Sequence, residues 1–359
     1  MNNRVILFSG GTGGHVIPAV NLGNFIIQNG GECYLFLDSR GLKYANQYKG
    51  KIFIINSYHF TGNIFFKIKS SIYLLLALFR SFYLLIKIRP SICIGFGSYA
   101  SFAPLLISSL FKFLKICKVY VHEQNSIIGK VNLFFLPFVD NIFLNFDNIV
   151  NLKNKYSIKG YQVGIPRDQF NIINKKTIKH KNKKELTIFV YGGSQGSINL
   201  IKIFIEIIKK LDLNYHKNLH LIIQAPQSQF YFIQKNLDKI RISYKIKIFY
   251  KDINKILNKS DIIIGRSGAG TIDDIINCKK PSILIPFPYS LNNHQILNAR
   301  YLSDKKAAIL INEENFDLIS GYKIFKELLD DENYRLSIIK NLNQIKNLDA
   351  NQLIFNKIS

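Results

Sequence analysis

Short apolar runs rich in β-branched residues recur along this chain, each followed by a longer stretch with helical spacing. That alternation limits the fold more than any other feature. The runs expected as strands are 4–9, 32–37, 51–55, 92–95, 118–121 and 141–145, then 186–191, 219–224, 245–249, 261–265, 282–286 and 307–311. "LTIFVY", "DIIIG" and "PSILIP" are apolar without a break, as in parallel strands covered on both faces. Helices are expected between the strands, for example at 18–29, 70–88, 197–211 and 266–278. The fold class that follows is α/β, built from doubly wound parallel sheets.

The rhythm breaks once, at 164–185, a polar, lysine-rich stretch read as an interdomain connection and surface loop. A glycine loop follows the first strand on each side of the break, "SGGTGG" at 9–14 and "YGGSQGS" at 191–197. Two strand–glycine–helix openings imply two Rossmann-like domains facing a cleft, 1–163 and 164–334, and 359 residues suffice for two cores. The helical stretch from about 335 to 359 is expected to pack on either domain, including back on the first.

A hydrophobic content of 48% excludes a disordered chain. The net charge of +25 fits partners such as nucleic acid, an anionic membrane or phosphorylated substrates. It also fits AT-rich codon usage, since the chain is rich in Lys, Asn, Ile, Phe and Tyr and has no Trp. Cys33, Cys93, Cys117 and Cys278 are dispersed and are expected as buried, reduced thiols. No secretory signal is expected ahead of "RVILFSGG". Residues 64–89 are strongly apolar, yet their longest uncharged run, Ser70 to Phe79, is far short of the roughly 20 residues of a spanning helix. Residues 90–111 carry no charge but are broken by Gly95, Gly97, Ser98 and Pro104. The expectation is a soluble or peripheral protein.

Glycines after a parallel strand let backbone approach a phosphate, and the following helix offers N–H donors and a positive dipole end. Neither loop is a P-loop, and "GGTGGH" lacks the dinucleotide spacing, with Asp38 the nearest acidic residue to the end of the second strand. His15 closes the first loop, and "VHEQN" places His122, Glu123, Gln124 and Asn125 at another strand end, although Glu123 could merely order its loop. In the second half "GRSGAGTIDDI" puts Ser267 to Thr271 at a helix start and Asp273 and Asp274 in its first turn. "PFPYSLNNHQILNA" places Asn292, His294 and Gln295 before another helix, and such amides and carboxylates suit sugar hydroxyls. There is no D-x-D, H-E-x-x-H or Cys/His ligand spacing, so no metal is expected, and the G-x-S-x-G hydrolase elbow is absent.

Taken in order, "GGTGGHVIP", "HEQN", "YGGSQGS", "RSGAGT" and "NHQILNA" resemble the MurG-type N-acetylglucosaminyltransferases of bacterial peptidoglycan synthesis over nearly the whole chain. The resemblance implies the two-domain GT-B fold, no cofactor, and inverting transfer of GlcNAc from UDP-GlcNAc to the C4 hydroxyl of undecaprenyl-diphosphate-MurNAc-pentapeptide (lipid I), giving lipid II. It implies an enzyme of cell-wall synthesis, peripheral on the inner face of the plasma membrane. By motif it assigns nucleotide-sugar contacts to Thr12, Gly13, Gly14, Asn125, Arg167, Ser194, the backbone of Tyr250, Ala269, Gly270, Thr271, Ile272, Asp273, Asp274 and Gln295. The general base is expected to be His15, with Glu123 as second choice. Several positions depart from the family pattern: Ile165 replaces an asparagine in "GIPR", Asp274 a glutamate, Ser98 and Phe102 glycines, and Asn292 an aspartate. Other readings are a different UDP-sugar transferase with a lipid acceptor, a UDP-GlcNAc epimerase, or a basic nucleic-acid binder, for which no motif appears.

Overall fold

The apolar runs pair as parallel strands in a computed structural model that describes residues 4–56, 64–168, 185–192, 198–250 and 252–359. The chain divides into one unit of Met1–Gln169 with Leu348–Ser359 and a second of Phe170–Asn347. The first holds β1 (Arg4–Phe8), β2 (Glu32–Leu37), β3 (Lys51–Ile54), β4 (Ile92–Gly95), β5 (Lys118–Glu123), β6 (Asn141–Leu144) and β7 (Gly160–Gln162). They lie in the order β3-β2-β1-β4-β5-β6-β7. The second holds β8 (Leu186–Tyr191), β9 (Leu219–Gln224), β10 (Ser243–Lys247), β11 (Ile262–Gly265), β12 (Ser282–Leu284) and β13 (Ile309–Leu310). Their order is β10-β9-β8-β11-β12-β13.

Each sheet therefore reverses direction of growth once, between β1 and β4 and between β8 and β11. Phe8 is in register with Gly95, and Tyr191 with Gly265. The segments that leave these strand ends start side by side, which is where open parallel sheets bind ligands.

The continuous apolar runs are explained by two covered faces. In β1, Ile6 and Phe8 pack with Ala77, Leu84 and Leu85 of α2 (Ile64–Ile88) and with Ala103 and Leu105 of α3 (Phe102–Phe113). Val5 and Leu7 point the other way, toward Val16, Ala19 and Leu22 of α1 (Gly13–Gln28) and Ile354 of the final helix. Each such side chain contributes about 1.5–3 kcal/mol.

Several boundaries differ from the sequence expectation. β10 begins two residues early, and β7, a three-residue "GYQ" edge strand, has no apolar run to announce it. α1 starts at Gly13 rather than at residue 18, with Pro18 inside it. Pro18, in the second turn, removes one backbone bond and crowds the Gly14 carbonyl, a local cost that the helix carries without ending. His15 consequently sits in the first helical turn. The junction falls at 169/170 rather than 163/164, and only residues 348–359 pack on the first unit, while the helix Glu332–Gln344 stays with the second. Cys33, Cys93 and Cys117 are buried free thiols, whereas Cys278 is half-buried.

Among the described residues, one helical segment, Ile68–Ile88, is long and apolar enough to cross a membrane by length and composition. One of its faces packs into the core through Ala77, Leu84, Leu85 and Ile88. The other exposes Ile72, Leu75, Leu76, Phe79 (72% exposed) and Tyr83. Exposed Leu110, Phe113, Leu114 and Ile116 on and after α3 add apolar surface to this unit, as do Phe134 and Phe138 at α4 (Lys130–Phe135). Leu78 does not join this surface but packs against the core.

Candidate active site

In the first unit the chain leaves β1 through Ser9 and Gly10. A Cβ on Gly10 would lie 2.5 Å from the Ala100 Cβ and 2.8 Å from an Asp38 oxygen, so only glycine fits. Asp38, buried just after β2, accepts hydrogen bonds from the backbone N–H groups of Gly11 (2.9 Å) and Gly41 (3.0 Å) and pairs with Arg40 at 2.6 Å. It is a brace for the loop. Thr12 is the N-cap of α1, its carbonyl accepting from His15 and Val16 N–H, and its side chain makes no capping bond. Gly13 and Gly14 are the first two helical residues, whose N–H groups have no acceptor within the helix and lie at its positive end.

His15 is half-buried, and its Nδ1 lies 2.9 Å from Oε1 of Gln124. Gly97, at φ +79°, leaves room for the ring, because a Cβ there would come within 3.3 Å of the His15 Cε1. Gln124 and His122 are both fully enclosed at the end of β5. Burial lowers the His122 imidazole to a pKa of about 4, so it is neutral at ordinary pH.

Glu123 is buried and saturated. One oxygen accepts from the backbone N–H (3.1 Å) and side-chain amide (3.3 Å) of Asn125, the other from the Gly129 N–H and the Asn132 amide, both at 2.9 Å. Four donors occupy both oxygens and leave the carboxylate no room to reach a substrate hydroxyl. This is the loop-ordering arrangement, and Asn125 is turned toward it. Asn132 carried no sequence signal beyond being a polar residue in the apolar helix "KVNLFF".

"GIPR" also belongs to this unit. Gly164 adopts φ +86°, Ile165 is buried, Asn21 donates to the Pro166 carbonyl and Asn351 to that of Arg167 (2.6 Å). The two glycine replacements have separate consequences. Ser98 keeps a glycine-like backbone (φ 67°, ψ 151°), a conformation costing a residue with a side chain about 1–3 kcal/mol. Phe102 fills an aromatic cluster, stacking on Tyr99 and meeting Phe134 and Phe135, the latter two at 5.4 Å.

In the second unit Ser194 lies outside the described residues. The helix Ala269–Cys278 starts beside the end of β8, with Gly268 as N-cap. Ala269, Thr271 and Ile272 are buried and Gly270 is exposed. Asp273 and Asp274 therefore fall in the second turn, not the first. Tyr191, buried at the end of β8, donates to Asp274 at 3.3 Å, and burial together with that carboxylate raises its phenol well above the usual range. Tyr250 is buried edge-on against Phe189, and burial raises its phenol to about 12.

Arg266, which the sequence did not single out, organises the neighbouring loops. It is almost fully buried, donates to the carbonyls of Ile285 (3.0 Å) and Pro286 (2.9 Å), pairs with Glu313, whose side chain is 9% exposed, and lies under the Phe287 ring. Glu313 in turn accepts from Asn199 at the start of the helix after the glycine loop. Gln295 sits at the second position of the helix His294–Ser303 and accepts from the Phe287 N–H at 2.9 Å, which leaves its Nε2 as a donor. Asn292 adopts φ 52°, a left-handed conformation that asparagine tolerates well.

Each of the two doubly wound units carries polar residues at the strand ends of its switch point, where open parallel sheets bind ligands, and the family models say which class of protein this is. Residues 5–144 match the glycosyltransferase family 28 N-terminal domain and residues 187–353 the glycosyltransferase family 28 C-terminal domain. The UDP-N-acetylglucosamine–N-acetylmuramyl-(pentapeptide) pyrophosphoryl-undecaprenol N-acetylglucosamine transferase of Rickettsia canadensis (strain McKiel) is 37% identical, covering 91% of this chain and 90% of its own. Its counterpart in Rickettsia felis is 34% identical with the same coverage. The chain belongs to glycosyltransferase family 28, among its MurG-type N-acetylglucosaminyltransferases. Acinetobacter baumannii MurG superposes with a TM-score of 0.80 over 99% of both chains at 21% identity. UDP-GlcNAc 2-epimerase from Neisseria meningitidis superposes at 0.66, with 14% identity, over 100% of this chain and 99% of its own. These two likenesses speak to the fold alone; the family models and sequence relatives separate transferase from epimerase.

Proposed function

We infer that this protein transfers GlcNAc from UDP-GlcNAc to the C4 hydroxyl of lipid I with inversion, forming lipid II and UDP. The observation that carries this is 37% identity, over nine-tenths of both chains, to a relative bearing that activity in its name. The direct test is transfer of labelled GlcNAc from UDP-GlcNAc to a lipid I analogue. No disaccharide product from folded protein would overturn the reading.

The His15 imidazole takes the acceptor proton as the hydroxyl oxygen bonds to the anomeric carbon and the bond to the UDP oxygen breaks. Geometry favours His15 over Glu123, whose two oxygens already hold four N–H donors. The departing diphosphate gathers negative charge, which the helix-terminal N–H groups at Gly13 and Gly14, Arg167 and Ser194 stabilise. In the second unit the uracil meets the backbone of Tyr250, the ribose Asp274 and the sugar the Nε2 of Gln295, with Ala269 to Asp273 as the helix start beside them.

Replacing Gln295 with alanine should therefore weaken UDP-GlcNAc by about 2- to 12-fold, the loss of one hydrogen bond. UDP itself should be little affected. Calorimetric titration checks this, and equal losses for both ligands would displace the sugar from Gln295.

The exposed apolar face of α2 and its neighbours binds an anionic bilayer, aided by exposed Lys69, Arg80 and Lys87. Leu75→Glu with Phe79→Glu, both on the exposed face, should reduce co-sedimentation with anionic vesicles by roughly tenfold or more. Transfer to a water-soluble acceptor analogue should persist. Unchanged co-sedimentation of the folded variant would remove the membrane from this face.

A further inference from the structure

We propose that Gln124 is a positioning residue that sets the proton of His15 on Nδ1 and so presents Nε2 as the bare, proton-accepting nitrogen; this rests on the reading of His15 as the general base. The argument starts from two backbone carbonyls, which can only accept. Phe96 O lies 3.1 Å from the Gln124 Nε2, and Gly164 O lies 2.9 Å from the His122 Nε2. The second contact places the His122 proton on Nε2 and leaves its Nδ1 a lone pair. The Gln124 Nε2, 3.1 Å from that Nδ1, donates to it with its second hydrogen. Both amide hydrogens are thereby engaged, and the side chain cannot flip without setting its oxygen against the Phe96 carbonyl and a histidine lone pair. Oε1 is left facing His15 Nδ1 at 2.9 Å, and an amide oxygen only accepts.

The direction of every bond in the chain Gly164–His122–Gln124–His15 is thus fixed from its buried end. His122 must stay neutral for this to hold, and its complete burial, stacked on Phe96 with ring centroids 5.2 Å apart, keeps it so. When the acceptor hydroxyl surrenders its proton to Nε2, the imidazolium that forms still donates from Nδ1 to Gln124, so no partner has to move. The amide carries no charge and neither gains nor loses a proton. Its part is to select one tautomer and one ring orientation, as carboxylates and carbonyls do for other reactive imidazoles.

The test uses the full-length protein. Nitrogen-15 histidine spectra of the unliganded wild type should show His15, assigned by its absence in His15→Ala, with Nδ1 of the protonated type and Nε2 of the bare type. Gln124→Met, which keeps length but offers no oxygen, should populate the other tautomer and lower kcat by about 10- to 100-fold, the range known for partners that orient metal-bound imidazoles. KM for UDP-GlcNAc should stay within about twofold, and His15→Ala with Gln124→Met together should be no slower than His15→Ala alone. A wild-type spectrum with the proton on Nε2 would overturn the proposal, as would additive losses in the double variant. The spectrum needs no turnover, so a Nδ1 proton beside normal turnover in His15→Ala would sink the base reading and spare the assignment of the tautomer.

Discussion

Replacing His15 with alanine should lower kcat by about 10²–10⁴-fold, the usual contribution of a positioned general base. The residue lies in the first turn of α1, at the switch point of the first sheet, and its Nδ1 is held by Gln124. The donor contacts proposed for uracil, ribose and sugar are all made by the second unit, so KM for UDP-GlcNAc should move by less than about threefold. A role confined to holding the loop would instead weaken acceptor binding and leave the shape of the pH–rate profile intact. Steady-state kinetics with a lipid I analogue distinguishes the two. Near-normal turnover would remove His15 from the chemistry. Glu123→Gln is the companion measurement: its charge-assisted bonds order the segment from Asn125 to Asn132, so its main cost should be in stability and not in the chemical step.

Arg266→Ala should destabilise the second unit by about 3–5 kcal/mol, the cost of leaving one member of a buried ion pair without its partner. Arg266 and Glu313 are both more than nine-tenths enclosed, so solvent screens the pair little. The substitution also strips the Ile285 and Pro286 carbonyls of a donor and removes the cation beneath Phe287. Hydrogen exchange over residues 282–315 should rise, with the first unit's sheet unaffected. Adding Glu313→Gln to Arg266→Ala should recover part of the loss, because the stranded charge is gone. No recovery would assign the loss to packing and not to the buried charge.

These two predictions depend to different degrees on what can be read from sequence. His15 was legible as a candidate because it closes a glycine loop straight after an apolar run, a local pattern with a known place in parallel sheets. Arg266 was not: it stands inside a glycine-rich motif that draws notice for its backbone, and its partner Glu313 lies 47 residues away with no motif around it. The first glycine loop and nearly all the strands were legible for the same reason as His15. A strand covered on both faces must be apolar along its whole length, and glycine must stand where backbone needs close approach, so each leaves its mark within a few residues. The helix start at Gly13 was missed because Pro18 reads as a boundary, whereas the helix runs through it.

The sequence by itself determined the class of fold, the two-domain repetition and the family, since these rest on local runs and on motifs in a fixed order. Only the tertiary structure decided what the polar residues at the strand ends do. Asp38 braces a backbone loop, Glu123 is held by four donors, and His15 is joined through Gln124 and His122 to the carbonyl of Gly164. The reason is distance along the chain. His15 and Gln124 are 109 residues apart and meet only because β1, β4 and β5 lie side by side in the sheet. A hydrogen bond's direction depends on which donors and acceptors meet in space, whereas an apolar run is written residue by residue.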